Sequence, residues 1–238
     1  MTTGSLLRRA TALVAAVVLV GCGRVADGAQ EQADTAQATA GAAAAVARMD
    51  SPKSSRRAAL KGPGYDRGSP DAPVLVLEFS DFGCPYCGHF ALQTLPQIDS
   101  EFISKGTVRW KYVPFVMGMF PNGGEAARAA ECAGDQDTSE FWRMHDKLYG
   151  TQRQWRGAQD PESLFLGYAD ELGLDRKAFA TCYGSDAVKN RIAAHNELAA
   201  RLGVHATPTF FISGVRVQGA LPMQQFRLLL RGAVAGGS

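Results

Sequence analysis

The segment Cys84-Pro85-Tyr86-Cys87 constrains this chain more than any other. It follows Val74-Leu75-Val76-Leu77-Glu78-Phe79, an apolar run suited to a buried strand, and leads into Gly88-His89-Phe90-Ala91-Leu92, which suits the start of a helix. A CxxC at such a boundary reads as a redox pair. Two intervening residues let the sulfurs close a small disulfide at the first helical turn. Free N–H groups and the helix dipole favour a thiolate there. That lowers the pKa of the first cysteine and makes it a better leaving group. Cys84 is therefore read as the nucleophile and Cys87, one turn in and more buried, as the resolving partner. A zinc site would want a second close cysteine pair, but Cys132 and Cys182 stand apart. His89, His145, His195 and His205 make no zinc spacing with the CxxC, so no metal is expected.

Residues 1–21 read as a secretion signal. Arg8 and Arg9 open it, and Ala10–Val20 is an apolar run too short to span a bilayer comfortably. Leu19-Val20-Gly21-Cys22 resembles a bacterial lipobox, with cleavage before Cys22 and a lipid on its sulfur; the alternative is an ordinary signal peptide with an incidental Cys22. The expected location is extracytoplasmic, attached to the cell membrane through Cys22. Of the 25 Lys and Arg, two lie in the signal, which leaves 23 against 23 acids. A near-neutral mature chain gives no reason to expect nucleic acid. Four cysteines remain after Cys22. An even number suits an oxidising compartment, and sequence permits three pairings.

Residues 22–67 read as a flexible tether, rich in Ala, Gln, Gly and Asp and then in Ser, Pro and Arg, too poor in large apolar side chains to order itself. Ala36–Met49 favours a helix without much to pack it. The folded unit is expected from Gly68. Val74–Phe79 is the central strand. The CPYC helix runs to Lys105, bent at Pro96, with Leu92, Leu95, Ile98 and Phe102 as its core face. Val108–Val113 is the next strand. A loose segment, Phe115–Gly124, leads to helices at Glu125–Cys132 and Glu140–Leu148. Gln152–Gln159 reads as a loop. Asp160-Pro161, Asp175 and Ser185 mark further helix starts, the last helix burying Val188, Ile192, His195 and Leu202. Thr209–Ile212 and Val215–Gln218 form a hairpin. Met223–Leu230 is the last helix, and Ala235–Ser238 should fray. The order is strand, helix, strand, helical block, strand, strand, helix.

This arrangement resembles the exported DsbA-like proteins of the thioredoxin fold, of Gram-positive and actinobacterial type. The likeness rests on Glu78-Phe79-Ser80-Asp81-Phe82-Gly83-Cys84-Pro85-Tyr86-Cys87. It rests equally on Ala127–Ala133 with Phe141-Trp142, on Thr207-Pro208-Thr209-Phe210-Phe211, and on the hairpin with Gly214 and Gly219. The implied fold is α/β, a thioredoxin fold with an inserted helical domain. Residues 68–116 and 204–232 would form the thioredoxin-like part, 117–203 the insertion and 233–238 a tail. The resemblance implies a solvent-facing Cys84, a buried Cys87, and a cis-proline at Pro208. Pro85, Tyr86, Thr207 and Pro208 would border the bound substrate, which could pair in β fashion near Thr207. It also implies a disulfide between Cys132 and Cys182; two free buried thiols are the alternative. Glu78 interrupts an apolar strand. Its place resembles that of the buried acid that moves a proton from the second cysteine, a role suited by a raised pKa; the alternative is an exposed strand end. Asp81 is expected to shape the turn. His89 could help the thiolate or simply face water.

The expected activity is thiol–disulfide exchange, in the oxidising direction, on exported cysteine-containing proteins. No organic cofactor is implied, because the disulfide carries the electrons. The resemblance implies reoxidation by a membrane DsbB-like or VKOR-like partner, and a monomer is expected. A reductase or isomerase would use the same residues. A lipid-anchored peptide-binding or chaperone module would keep the disulfide for structure only, and its activity would survive replacement of Cys84.

Overall fold

A computed structural model describes residues 63–236. The signal, Cys22, the Ala36–Met49 segment and the rest of the tether up to residue 62 lie outside those residues, as do Gly237 and Ser238. Five strands form one sheet in the order β1-β3-β2-β4-β5. At its centre β2 (Val74–Ser80) runs parallel to β3 (Val108–Pro114), with Val74 opposite Val108 and Ser80 opposite Pro114. On the other side of β2, β4 (Thr209–Ile212) pairs antiparallel, and β5 (Val215–Gln218) closes that edge. A central strand covered on both faces needs apolar side chains almost throughout, which is why β2 reads as a near-continuous run. The strand β1 (Tyr65–Arg67) pairs antiparallel with β3. This corrects the expectation that the tether reaches residue 67. The segment is short and polar, and distant partners hold it. Asp66 binds Arg109 at 2.8 Å and Lys111 at 3.0 Å, and Tyr65 stacks on Phe141 with centroids 3.7 Å apart. Gly64, at φ +107°, lets the chain approach β3: a Cβ there would lie 2.5 Å from the Tyr112 carbonyl oxygen.

The helix α1 begins at Pro85, with Cys84 as its N-cap, so the CPYC segment forms its first turn. It runs as Pro85–His89, a wider π-type turn Phe90–Thr94, Leu95–Ile98, and a second π-type stretch Asp99–Ile103. Pro96 falls in the first turn of the third segment, where a missing N–H costs least. The wide turn changes the rotation per residue, so the buried face is Phe90, Ala91, Leu95, Ile98 and Phe102. Leu92, expected in the core, is 46% exposed. Phe90, Trp110, Phe210 and Phe226 meet with centroids between 4.6 and 6.0 Å apart. Each buried aromatic contributes about 1.5–3 kcal/mol, against about 1 kcal/mol for an imperfect backbone bond, so the packing prevails over the helix irregularity. These rings fix α1 and the C-terminal helix to one face of the sheet. Phe79, Val113, Ala199 and Val204 pack on the other.

Between β3 and β4 lies the inserted helical subdomain. It comprises α2 (Gly123–Gly134), α3 (Thr138–Gly150), α4 (Gln152–Trp155), α5 (Pro161–Glu171), α6 (Arg176–Tyr183) and α7 (Asp186–Arg201). Asp160, Asp175 and Ser185 each accept a first-turn N–H, from Ser163, Ala178 and Val188. Ala126, Ala127, Ala129, Ala130 and Ala133 are all buried, and their small size lets α2 pack closely within the insertion. The segment read as a loop after residue 152 contains α4, because Trp155 is fully buried and donates to the Leu148 carbonyl at 2.7 Å. Leu202, expected on the buried stripe, is exposed, since α7 ends one residue before it and Ala199 completes the buried face. The C-terminal helix α8 (Met223–Gly236) runs past Leu230 and includes Ala235 and Gly236.

Cys132 on α2 and Cys182 on α6 form a disulfide, with Cα atoms 5.6 Å apart and 50 residues apart in sequence. Closing a loop of that length limits the unfolded chain. Cys132→Ala together with Cys182→Ala should lower unfolding stability by about 2–4 kcal/mol in urea melts, while Cys84 still exchanges with a disulfide reagent. An unchanged urea midpoint would contradict a structural role.

Candidate active site

Where β2 ends, Asp81-Phe82-Gly83 turns the chain into α1. Asp81 is buried and accepts from the Gly83 N–H and the Met117 N–H, both at 2.8 Å, while its own carbonyl accepts from Cys84 N–H at 3.0 Å. It therefore shapes the turn, as expected, and also fastens the segment after β3 to it. Burial pushes its carboxyl up to about 6 despite those two backbone donors, and the neighbouring Cys84 pushes the same way. Gly83 is required by space, since a Cβ there would sit 2.5 Å from that of Phe120. Gln152 on α4 donates to the carbonyls of Phe82 at 2.6 Å and Cys84 at 2.9 Å. Asn122, at φ 57°, donates to Trp155 and Ala158 carbonyls. No sequence signal marked Gln152, one of several polar residues in an apparent loop.

The two cysteines are free thiols in unequal surroundings. Cys84 is pulled down to about 6, first by a hydrogen bond from Cys87, then by the Thr207 hydroxyl and the Cys87 and Tyr86 N–H groups, with burial opposing. As a thiol it donates to the Thr207 carbonyl at 3.6 Å. Cys87 is pushed well up, first by burial and then by its neighbour Cys84. Cys84 was expected to face solvent, yet only 1% of its surface is exposed. The Thr207 backbone lies against its sulfur, although the sulfur remains shallow where that of Cys87 is deep. Pro85 and His89 are exposed, and Tyr86 is 70% exposed.

The Thr207–Pro208 peptide bond is cis, and the segment leads directly into β4. Thr207 also directs its hydroxyl at the Met117 sulfur, 3.4 Å away. Met119, on the same segment as Met117, is 68% exposed. Neither methionine stood out in the sequence. Glu78 lies on β2 with 1% exposure, so it is not an exposed strand end. Its oxygens accept from Ser80 Oγ at 2.6 Å and Trp110 Nε1 at 2.7 Å. Burial raises it to about 7, with both donors opposing.

Residues 61–231 match the thioredoxin family. The chain belongs to that family. Within it, the inserted helical subdomain gives the chain the fold of DsbA-like and BdbD structures. It is 31% identical over 150 residues to Probable disulfide bond formation protein D of Bacillus anthracis, covering 62% of this chain and 68% of that one. The oxidised BdbD of Bacillus subtilis superposes with a TM-score of 0.67 at 23% identity, over 73% of this chain and 94% of that one, a likeness of fold. A third relative is Na(+)/H(+) antiporter NhaA 1 of Salinispora arenicola, 36% identical over 170 residues. That match takes in 71% of this chain but 24% of the antiporter, so the chain spans about a quarter of that relative's length.

Absorbance at 240 nm of this thioredoxin-family chain, in its dithiol form, should rise with a midpoint near pH 6, the Cys84 thiolate. Cys84→Ser should abolish that step. A first midpoint near the ordinary thiol value of about 8.5 would contradict the geometry.

Proposed function

We propose that this chain oxidises cysteine pairs in exported proteins by exchange through a Cys84–Cys87 disulfide. The observation that carries this reading is the inequality of the two thiols, one lowered to about 6 at a helix N-terminus and the other buried and raised. A substrate thiolate attacks Cys84 Sγ, breaks the Cys84–Cys87 bond, and leaves Cys87 as a thiolate that takes a proton. A second substrate thiolate then attacks the substrate sulfur and expels Cys84, a good leaving group because its thiolate is stabilised. Two substrate thiols lose two electrons and two protons, and the chain departs as a dithiol. Pro85 and Tyr86 border the attacked sulfur. The backbone at Thr207 and Pro208 offers a bound peptide an extended edge.

Magnitudes limit what the thiolate explains. At pH 7, a pKa of about 6 rather than about 9 stabilises the dithiol by at most about 1.4 kcal/mol, or about 30 mV for two electrons, and solvent screening at this shallow site lowers that. The oxidising direction therefore rests also on kinship with proteins named for disulfide bond formation. Residues 1–21 would direct export, and Cys22 would carry the lipid. A membrane DsbB-like or VKOR-like protein would restore the disulfide. Antiport, the activity in the name of the much longer relatives, is not carried over to this chain.

The oxidised full chain is mixed with a reduced, unfolded peptide bearing two cysteines. The peptide disulfide should form at the expense of Cys84–Cys87. Cys84→Ala should abolish this, and Cys87→Ala should accumulate a mixed disulfide at Cys84. Undiminished peptide binding with no exchange in the wild type would favour a binding module instead.

A further inference from the structure

Cys87 is fully buried, and its sulfur must gain a proton whenever substrate displaces it and lose one whenever it attacks. Glu78 is the neighbouring buried acid, but its two carboxylate oxygens are taken by Ser80 and Trp110, and neither bonds the thiol. Ser80 is also fully buried, and it lies two residues beyond Glu78 on the same face of β2. Its hydroxyl donates to Glu78 Oε1 at 2.6 Å, and hydrogen bonding from the same side chain favours the Cys87 thiolate against its burial. A hydroxyl has one proton to give and two lone pairs to accept with, so it bonds both neighbours at once in either direction. Trp110 Nε1 is a donor only and carries no proton onward.

We propose that the Ser80 hydroxyl is the proton carrier between Cys87 and Glu78. When Cys87 is released as a thiolate, Ser80 gives its proton to Cys87 Sγ and takes one from the protonated Glu78 carboxyl. Charge moves from sulfur to carboxylate with no net uptake of protons. When Cys87 attacks, both transfers reverse: the thiol proton passes to Ser80 Oγ, and the hydroxyl proton passes to Glu78. A Glu78 carboxyl held at about 7 populates both protonation states near neutrality, so neither direction starts from a rare species. The other titratable groups around the pair do not compete as carriers. Tyr112 on β3 and Tyr149 on α3 bond each other at 2.8 Å, and burial holds both phenols well above their ordinary range. Burial also lowers His145 on α3, whose Nδ1 is bonded to Asp146. Asp81 is occupied by two backbone N–H groups, and Cys84 is the reacting partner.

This inference rests on the redox reading of the site, and the test separates the two. Glutathione is placed on Cys84 of the full chain, with the position verified by peptide mass. Its release by Cys87 attack is then timed in stopped flow: the Cys87–Cys84 bond forms and the Cys84–glutathione bond breaks. At pH 7, Ser80→Ala should slow release by about 10–100-fold, Glu78→Gln by a similar factor, and the double variant by little more than either alone, as for groups acting as one unit. Ser80→Thr, which keeps the hydroxyl, should recover most of the rate. The Cys84 titration midpoint should stay near 6 throughout. The wild type gives a second reading that needs no variant: its rate should fall in heavy water along a curve that requires two protons in flight. Wild-type speed in Ser80→Ala, multiplying effects in the double variant, or a one-proton isotope dependence would each overturn the relay. A wild-type chain whose Cys87 never displaces glutathione would overturn the redox reading, and the relay with it.

Discussion

A cysteine sulfur held at the open end of a helix, against the carbonyl of a distant loop, sets the terms for the rest of this molecule. The N-cap position of Cys84 brings N–H groups toward the sulfur, and the Thr207 backbone closes over it. Those two segments come from opposite ends of the folded unit, 123 residues apart. Only a sheet that places β2 beside β4 brings them together. The aromatic cluster of Phe90, Trp110, Phe210 and Phe226 then fixes α1 against that sheet. The rings that give α1 its irregular path also sink Cys87 one turn below the surface, where burial opposes its ionisation.

The inserted helices bear on the same few atoms. Gln152 holds the carbonyls of Phe82 and Cys84, and Asn122 ties the segment after β3 to the end of α4. Asp81 joins the turn before α1 to Met117, whose sulfur in turn receives the Thr207 hydroxyl. Buried amide and carbonyl groups left without these partners would each cost about 1–3 kcal/mol, so the turn is held by several independent bonds. The insertion is itself tied down at β1, where Tyr65 donates to the buried Glu131 of α2 at 2.8 Å and Arg191 of α7 reaches the same carboxylate at 2.6 Å.

Much of the fold was legible because local physics and tertiary structure agree. The strands around Val74, Val108, Thr209 and Val215 are marked by their own apolar runs or alternation, and Asp160, Asp175 and Ser185 announce helices that form where they point. The CPYC spacing set two cysteines at a strand-to-helix turn, where the structure has them, and Glu78 stood out as an acid in an apolar strand. What escaped depends on distant contacts. Tyr65–Arg67 is too short and polar to read as a strand until Asp66 meets Arg109 and Lys111. Leu92 fits a helical stripe only if the helix is regular, and a π-type turn moves it off the core. Gln152 and Met117 act through backbone bonds and sulfur contacts that leave no pattern in the sequence. The shielding of Cys84 by Thr207 needs the whole sheet.

In the proposed function the Cys84–Cys87 disulfide accepts electrons from substrate thiols, and its reduction potential tests this most directly. The full chain would be equilibrated with glutathione, trapped, and the peptide bearing Cys84 and Cys87 quantified by mass in both forms, with Cys132–Cys182 left intact. The account predicts a value nearer the roughly −120 mV of strong disulfide donors. A value near about −270 mV, typical of a cytosolic reductant, would contradict it.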